Sequence, residues 1–226
     1  MQEASTKPQG PAGPTQHPDW AAIIRARLTG STPRHRREDW LIPGRFEPGG
    51  ERRHFAREPA PAAVLIPLVE RRELSVLFTQ RATQLRNHAG QISFPGGRIE
   101  ATDGGPAAAA LREAREEIGL DARFVSVIGY LPDHVVITGF RITPVVAFVQ
   151  PGFELLLASD EVEDTFEAPL SYLFDPANQR LRRRRSPVTG EEAEFREIPF
   201  GDRIIWGATA GMLHTLYRVC AGQDAV

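Results

Sequence analysis

The chain of 226 residues has a single cysteine, Cys220, so no intrachain disulfide can form. A lone cysteine is more often a buried thiol than a nucleophile, and this composition is typical of a reducing compartment. No apolar run approaches the roughly 18–20 residues that span a bilayer. The first residues, MQEASTKPQGPAGPTQ, lack the charged-then-apolar pattern of a signal peptide. We therefore expect a cytoplasmic protein without a membrane partner.

A large charge of one sign is also missing, since the formal net charge is −2. This balance argues against nucleic acid as the partner of the whole chain. Charge is uneven, however, and a basic N-terminal segment that docks a partner or a nucleic acid is an alternative. Such a run more often forms a solvated surface. The arginines concerned are Arg25, Arg27, Arg34, Arg36, Arg37, Arg52 and Arg53.

Composition predicts three regions along the chain. Residues 1–18 are rich in Pro, Gly, Gln and Thr and are expected to form a disordered tail. Residues 19–61 are expected to contain a short helix, capped by Asp19, and an irregular basic segment. Residues 62–221 are expected to form the compact domain, as a monomer or a homodimer.

Strand and helix patterns alternate within this domain. Apolar runs at 62–69 and 74–80 predict strands, as do residues 124–133 and 140–149. A helix is predicted from Pro106 to Gly119, which suit its first turn and its C-terminal end. Further on, we expect a turn and helix at 163–174, a hairpin around Thr189-Gly190 and a closing helix at 204–220, IIWGATAGMLHTLYRVC. The order predicts an α/β or α+β sandwich.

The helix from Pro106 carries the residues of chemical interest. Helical spacing places Glu113, Glu116 and Glu117 on one face. Like charges so spaced repel one another, and a divalent cation would turn that repulsion into a binding site. The remaining face is expected to be apolar, formed by Ala107, Ala110, Leu111, Ala114 and Ile118.

A solvated, Glu-rich surface helix is the structural alternative to a metal site. Two features favour the metal site. The turn Phe94-Pro95-Gly96-Gly97 precedes the helix, and glycines allow the backbone to approach a substrate closely. Arg112 lies beside the carboxylates, where it could pair with Glu116 or with Asp103.

The segment from Gly97 to Leu120 resembles the Nudix box, G-x5-E-x7-R-E-U-x-E-E-x-G-U, in which U is aliphatic. The sequence departs from the box in its loop, where Asp103 replaces the first Glu and eight residues, not seven, precede Arg112. Glu100 is the alternative for that position. The matching residues are Gly97, Arg112, Glu113, Glu116, Glu117, Gly119 and Leu120.

This resemblance implies a Nudix-type α/β/α sandwich with a mixed central sheet. It also implies a pyrophosphohydrolase that needs Mg²⁺ or Mn²⁺, held by Glu113, Glu116 and Glu117. Arg112 joins the catalytic group. A base or further ligand is expected from a box glutamate or a later acid. Among Asp160, Glu161, Glu163 and Asp164, we select Glu161, although the cluster could be only an acidic patch at a helix N-terminus.

Residues 77–97 resemble L-L-T-x-R-[SA]-x3-R-x3-G-x3-F-P-G-G, the motif of the coenzyme A (CoA) pyrophosphatase branch, with Phe78 as the single departure. The resemblance implies cleavage of CoA or its thioesters to 3′,5′-ADP and 4′-phosphopantetheine. The expected substrate-binding residues are Arg81, Arg86, Gly96 and Gly97. The two arginines suit this role because a guanidinium can bind a phosphate through two hydrogen bonds. Alternatives are a Nudix enzyme for ADP-ribose, NADH or a nucleoside triphosphate, and a catalytically silent nucleotide-binding regulator.

Overall fold

A long buried strand organises the central sheet. The computed structural model describes residues 18–35, 58–85, 88–136, 138–185 and 192–224. Strand β1 (Ala60–Val69) runs parallel to β7 (Phe140–Val149) over its full length. Its side chains alternate between two cores, with Ala63 and Leu65 on one side and Ile66 and Leu68 on the other. A strand buried on both faces is apolar throughout, as this one is.

The other strands of this sheet pair antiparallel, so the sheet is mixed. The main path runs β3-β2-β1-β7-β5, while β4 pairs with β1, β6 with β7 and β8 with β2. The remaining strands of this sheet are β2 (Ser75–Arg81), β3 (Ile92–Ser93), β4 (Gly96–Arg98), β5 (Val125–Tyr130), β6 (His134–Val136) and β8 (Val162–Pro169).

Helices cover both faces of the sheet. Helix α2 (Pro106–Ile118) packs on one face, and α1 (Trp20–Leu28), α3 (Leu170–Phe174) and α4 (Gly207–Cys220) pack on the other. A second antiparallel sheet lies on the side of α4, with β10 (Glu192–Phe200) between β9 (Arg180–Arg185) and β11 (Arg203–Trp206). The expected α/β/α sandwich with a mixed central sheet is therefore confirmed.

The expectation for residues 163–174 was partly wrong. Most of this segment is strand β8, and only Leu170–Phe174 is helical. Acidic residues disfavour a strand locally. Pairing with β2 over the length of β8 overrides that preference.

The closing helix was predicted to begin too early. Ile204 to Trp206 belong to strand β11, which pairs with β10. Gly207 has φ 64°, a left-handed conformation that separates the strand from the helix that follows. The hairpin of β9 and β10 is confirmed, while Thr189-Gly190 lies outside the described residues.

Helix α1 packs Ile24 and Leu28 into the core, and Ser31 after it adds a polar contact with the domain. The Asp19 carboxylate caps α1 by accepting a hydrogen bond from the Ala22 amide at 3.1 Å. Ser31 Oγ accepts one from the Tyr130 amide at 2.8 Å. The division at residues 18, 61 and 221 stays a prediction, since residues 1–17 and 36–57 lie outside the described residues.

Asp133 is the buried polar centre near this attachment. Its carboxylate is fully buried and accepts hydrogen bonds from Thr143 Oγ1 and Arg141 Nη1, both at 2.7 Å. His35 Nδ1 lies 3.0 Å from the same carboxylate. The segment after α1 therefore contacts a carboxylate that is inaccessible to solvent.

We expect Asp133→Ala to lower the free energy of unfolding by about 3–5 kcal/mol, because it leaves the largely buried Arg141 guanidinium unpaired. Denaturant unfolding followed by circular dichroism measures the change. Asp202→Ala, in an exposed turn, is the control and should shift stability by no more than about 0.5 kcal/mol. Equal effects of the two substitutions would contradict this prediction.

Candidate active site

The three glutamates of α2 run from solvent to the interior. The side chain of Glu116 is 58% exposed and that of Glu113 16%, while Glu117 is 5% exposed. The buried residues of the helix are Ala109, Ala110, Ala114, Glu117 and Ile118, and the half-buried Ala107 and Leu111 pack against the same core. The predicted apolar face is therefore confirmed, and Glu117 is buried together with it. The carboxylates are neighbours, but each has a different environment.

Arg112 holds two of these carboxylates and a loop acid. Its Nη1 donates to Glu113 and to Glu116, each at 2.9 Å. Its Nε and Nη2 donate to the two oxygens of Asp103 at 3.0 Å, which lowers the pKa of that carboxyl. The structure thus makes Asp103 the loop partner of Arg112. Glu100 contributes its backbone N–H to the Asp103 carboxylate at 2.8 Å.

Glu117 has no such cation. Within the described part of the chain it forms no ion pair, and its carboxylate accepts one hydrogen bond, from the Gly96 amide at 3.3 Å. Burial raises the pKa of Glu117 to about 8, and the charges of Glu113 and Glu161 act in the same direction. A buried carboxylate flanked by like charges is where a cation would be most strongly bound.

The glycine turn places backbone against these carboxylates. A Cβ on Gly97 would collide with the carboxylate of Glu113. A Cβ on Gly96 would lie 2.7 Å from Val64 Cα. Gly96 therefore needs glycine because β1 backbone lies too close for a Cβ, whereas a side chain at position 97 would require the Glu113 side chain to move. The turn separates α2 from the space on the other side of β4.

Glu161 lies on the same side as the carboxylates of α2. It precedes β8, and its backbone oxygen accepts from the Ala82 amide at 2.9 Å. Its charge raises the pKa values of both Glu113 and Glu117. Asp164, from the same acidic cluster, instead forms an ion pair, in which its carboxylate lies 2.6 Å from the guanidinium of Arg203. Proximity thus separates Glu161 from the rest of the acidic cluster, whereas its chemical role stays a prediction.

Arg81 ends strand β2 beside Glu117. Its charge opposes the rise in the pKa of Glu117. Its Nε is buried, and among the described residues it has no hydrogen-bond partner. A buried donor without a partner is costly, so a ligand oxygen is a favourable partner for it. Arg86, the second predicted phosphate ligand, lies outside the described residues.

A cavity of about 640 Å³ opens beside the glycine turn. It lies between the central sheet and the layer formed by β10, β11 and α4. Glu113, Glu116 and Glu117 do not line it, but Gly96, Gly97 and Arg81 do. Its apolar lining side chains are Ala62, Val64, Ile92, Phe94, Val136, Phe140, Ile142, Phe195, Trp206, Ala208 and Met212. The sequence motifs do not indicate this wall, because β10, β11 and α4 are far from the motif residues in the chain and approach the sheet only in the folded protein.

The arginine-rich strand β9 is mainly an ion-paired surface. Arg182 Nε lies 2.9 Å from Glu197 and Arg183 Nε lies 2.7 Å from Glu194, both on the neighbouring strand. Arg185 reaches the cavity lining.

The residues present fit a hard divalent cation. Glu117 supplies a buried carboxylate without a cation, and Glu113 and Glu161 add negative charge close by. Oxygen donors of this kind suit Mg²⁺ or Mn²⁺. Across the described ranges, no three acidic, His or Cys side chains converge into a ready metal cage. The physical reason is Arg112, which draws Glu113 and Glu116 towards itself.

Known proteins place this fold and site in a family. The NUDIX domain model matches residues 59–189. The Nudix hydrolase NudL of Salmonella paratyphi B is 50% identical over 170 residues, covering 72% of this chain and 84% of that protein. NudL of Citrobacter koseri is 40% identical over 158 residues, covering 69% and 80%. A MutT/nudix family structure from Enterococcus faecalis aligns with a TM-score of 0.46 at 14% identity, over 76% of this chain and 66% of that one.

The chain belongs to the Nudix hydrolase family, and the expectation of a Nudix pyrophosphohydrolase is confirmed at the level of enzyme class. None of the described helices is long and apolar enough to cross a membrane. The CoA branch, the choice of metal and the residue roles stay proposals.

The raised pKa of Glu117 makes the stability of the metal-free protein depend on pH. The folded state keeps a proton that the unfolded chain loses near its ordinary pKa of 4.5. This contribution is complete below that value and is lost as pH rises through about 8. In EDTA we expect Glu117→Gln to reduce the fall in stability between pH 5 and pH 8.5 by on the order of a few kcal/mol, measured by urea unfolding.

The exposed Glu154→Gln is the control and should keep the wild-type slope. If Glu117→Gln and wild type lose stability in parallel over this range, the carboxyl is not protonated in the folded state.

Proposed function

We propose that this enzyme uses Mg²⁺ or Mn²⁺ to hydrolyse the pyrophosphate bond of CoA or a CoA thioester, releasing 3′,5′-ADP and 4′-phosphopantetheine or its acyl form. The observation that carries the metal-dependent chemistry is the buried Glu117 carboxylate, which accepts a hydrogen bond from the Gly96 amide and forms no ion pair among the described residues. The choice of CoA rests on the motif at residues 77–97. Arg81 Nε, which has no hydrogen-bond partner among the described residues, supports it because it offers a phosphate donor where the motif expects one.

Glu113, Glu116 and Glu117 would hold the cation. When bound, the metal neutralises charge that develops at phosphorus and lowers the pKa of a water. Because Arg112 contacts Glu113 and Glu116, it orients these two carboxylates and limits their mutual repulsion. We therefore describe Arg112 as a positioning residue.

A proton acceptor is needed near the attacking water. Glu161 is our choice, because it lies close enough to raise the pKa values of Glu113 and Glu117 while it stays exposed. A box glutamate is the alternative acceptor. Arg81 would contact the phosphate oxygens, and the backbone of Gly96 and Gly97 would let the diphosphate approach α2.

Glu117→Gln tests the carboxylate while keeping its shape. We expect at least about a hundredfold loss of kcat, the size typical of removing one key electrostatic group. Circular dichroism should show an intact fold, and Glu154→Gln in an exposed loop should retain wild-type turnover. Near-normal turnover in Glu117→Gln, with metal still required, would remove this residue from the mechanism.

Product identification tests the reaction itself. Incubation with CoA and Mg²⁺ or Mn²⁺ should yield 3′,5′-ADP and 4′-phosphopantetheine by mass spectrometry, and EDTA should abolish both. CoA should be preferred over its form without the 3′-phosphate. Faster cleavage of ADP-ribose, NADH or a nucleoside triphosphate would assign the enzyme to another Nudix substrate. Binding without any product, under every metal tested, would favour a silent regulator.

A further inference from the structure

The cavity beside the glycine turn continues directly from the proposed reaction site. Gly96, Gly97 and Arg81 line it, and Gly96 also donates its N–H to Glu117. A diphosphate held at this turn would therefore have one of its two substituents at the entrance of the cavity. The volume of about 640 Å³ lies within the range of small-molecule sites.

The outer wall of the cavity comes from outside the matched family domain. Phe195, Trp206, Ala208 and Met212 line it, whereas the NUDIX domain match ends at residue 189. The inner wall comes from the matched part, including Val64 on β1 and Phe140 on β7. This wall is thus placed to select a substituent, while the carboxylates of α2 act on the diphosphate.

The outer wall favours an apolar occupant. Phe195 and Trp206 meet edge to face, with ring centroids 5.9 Å apart, and Met212 and Ala208 continue the surface on α4. Charged side chains also line the cavity, among them Arg81, Arg98 and Arg185, but apolar atoms form most of its lining. A flexible apolar chain would bury more of its surface against this wall than the charged 3′-phosphate of the nucleotide half would. The pantetheine half is uncharged and ends in the sulfur that carries an acyl chain.

We propose that this cavity binds the acyl end of a CoA thioester, so that the enzyme prefers medium-chain acyl-CoA to free CoA. The inference rests on the proposed function. Because the acyl chain is remote from phosphorus, it binds equally in the ground state and in the transition state. Its contribution lowers KM and leaves kcat nearly unchanged.

A substrate series on the wild-type enzyme provides the first test. We compare CoA, acetyl-CoA, butyryl-CoA and octanoyl-CoA, and expect kcat/KM to rise by about tenfold or more across the series through KM, since methylenes in an apolar pocket discriminate at about this level. Calorimetric binding of CoA and octanoyl-CoA in EDTA should show the same order without turnover. Equal kcat/KM and equal affinity for CoA and octanoyl-CoA would overturn the proposal.

Filling the cavity provides the second test. Ala208→Leu adds bulk to the wall on α4, whereas Ala221→Leu makes the same change at an exposed position after α4. We expect Ala208→Leu to lower the ratio of kcat/KM for octanoyl-CoA to that for CoA by about tenfold. Ala221→Leu should leave this ratio at its wild-type value.

The outcomes separate the cavity from the reaction. If Ala208→Leu reduces kcat/KM equally for both substrates, the nucleotide half occupies the cavity and the proposal is wrong. If no CoA form is cleaved while another nucleoside diphosphate derivative is, the proposed function fails and the acyl site fails with it. Should Ala208→Leu not fold, the wild-type series and the binding measurement still decide the question.

Discussion

A buried carboxylate that forms no ion pair within the described residues is the constraint on which this active site depends. Glu117 reaches the interior from α2 and accepts its hydrogen bond from a main-chain amide. Such a group is tolerated only in its protonated form or with a cation brought from outside. The burial of this carboxylate therefore favours a bound cation, and Gly96 allows the turn to pass close to the backbone of β1.

Arg112 divides the carboxylates into two groups. Its guanidinium contacts Asp103, Glu113 and Glu116, and leaves Glu117 to the glycine turn. A single arginine thus reduces the repulsion between the carboxylates of Glu113 and Glu116. The charge of the buried Glu117 carboxylate is not balanced in this way.

The carboxylates and the cavity lie on opposite faces of the central sheet. The carboxylates lie on the face of the sheet that α2 covers, and the cavity lies on the face that α4 and the second sheet cover. The glycine turn and Arg81 border both. On the proposed function, substitutions in the outer wall would change which substituent binds without altering the acidic helix.

Local pattern was sufficient for the parts of the chain whose chemistry is local. Helical spacing predicted that Glu113, Glu116 and Glu117 are neighbours, and Pro106 and Gly119 marked the ends of their helix. Continuous apolar residues predicted β1, because a strand buried on both faces leaves no polar position. In contrast, local pattern predicts a turn and helix where the structure has β8. This acidic segment is extended because it pairs with β2, and local pattern does not record that pairing.

Residue order alone therefore determined the family, the acidic helix and the glycine turn, which are contiguous in the chain and obey short-range geometry. Tertiary structure decided which glutamate is buried, that Glu161 lies near enough to act on its pKa, and that β10, β11 and α4 close a cavity beside it. Burial and electrostatic contact depend on residues far apart in the chain, and no local period records which of them will meet.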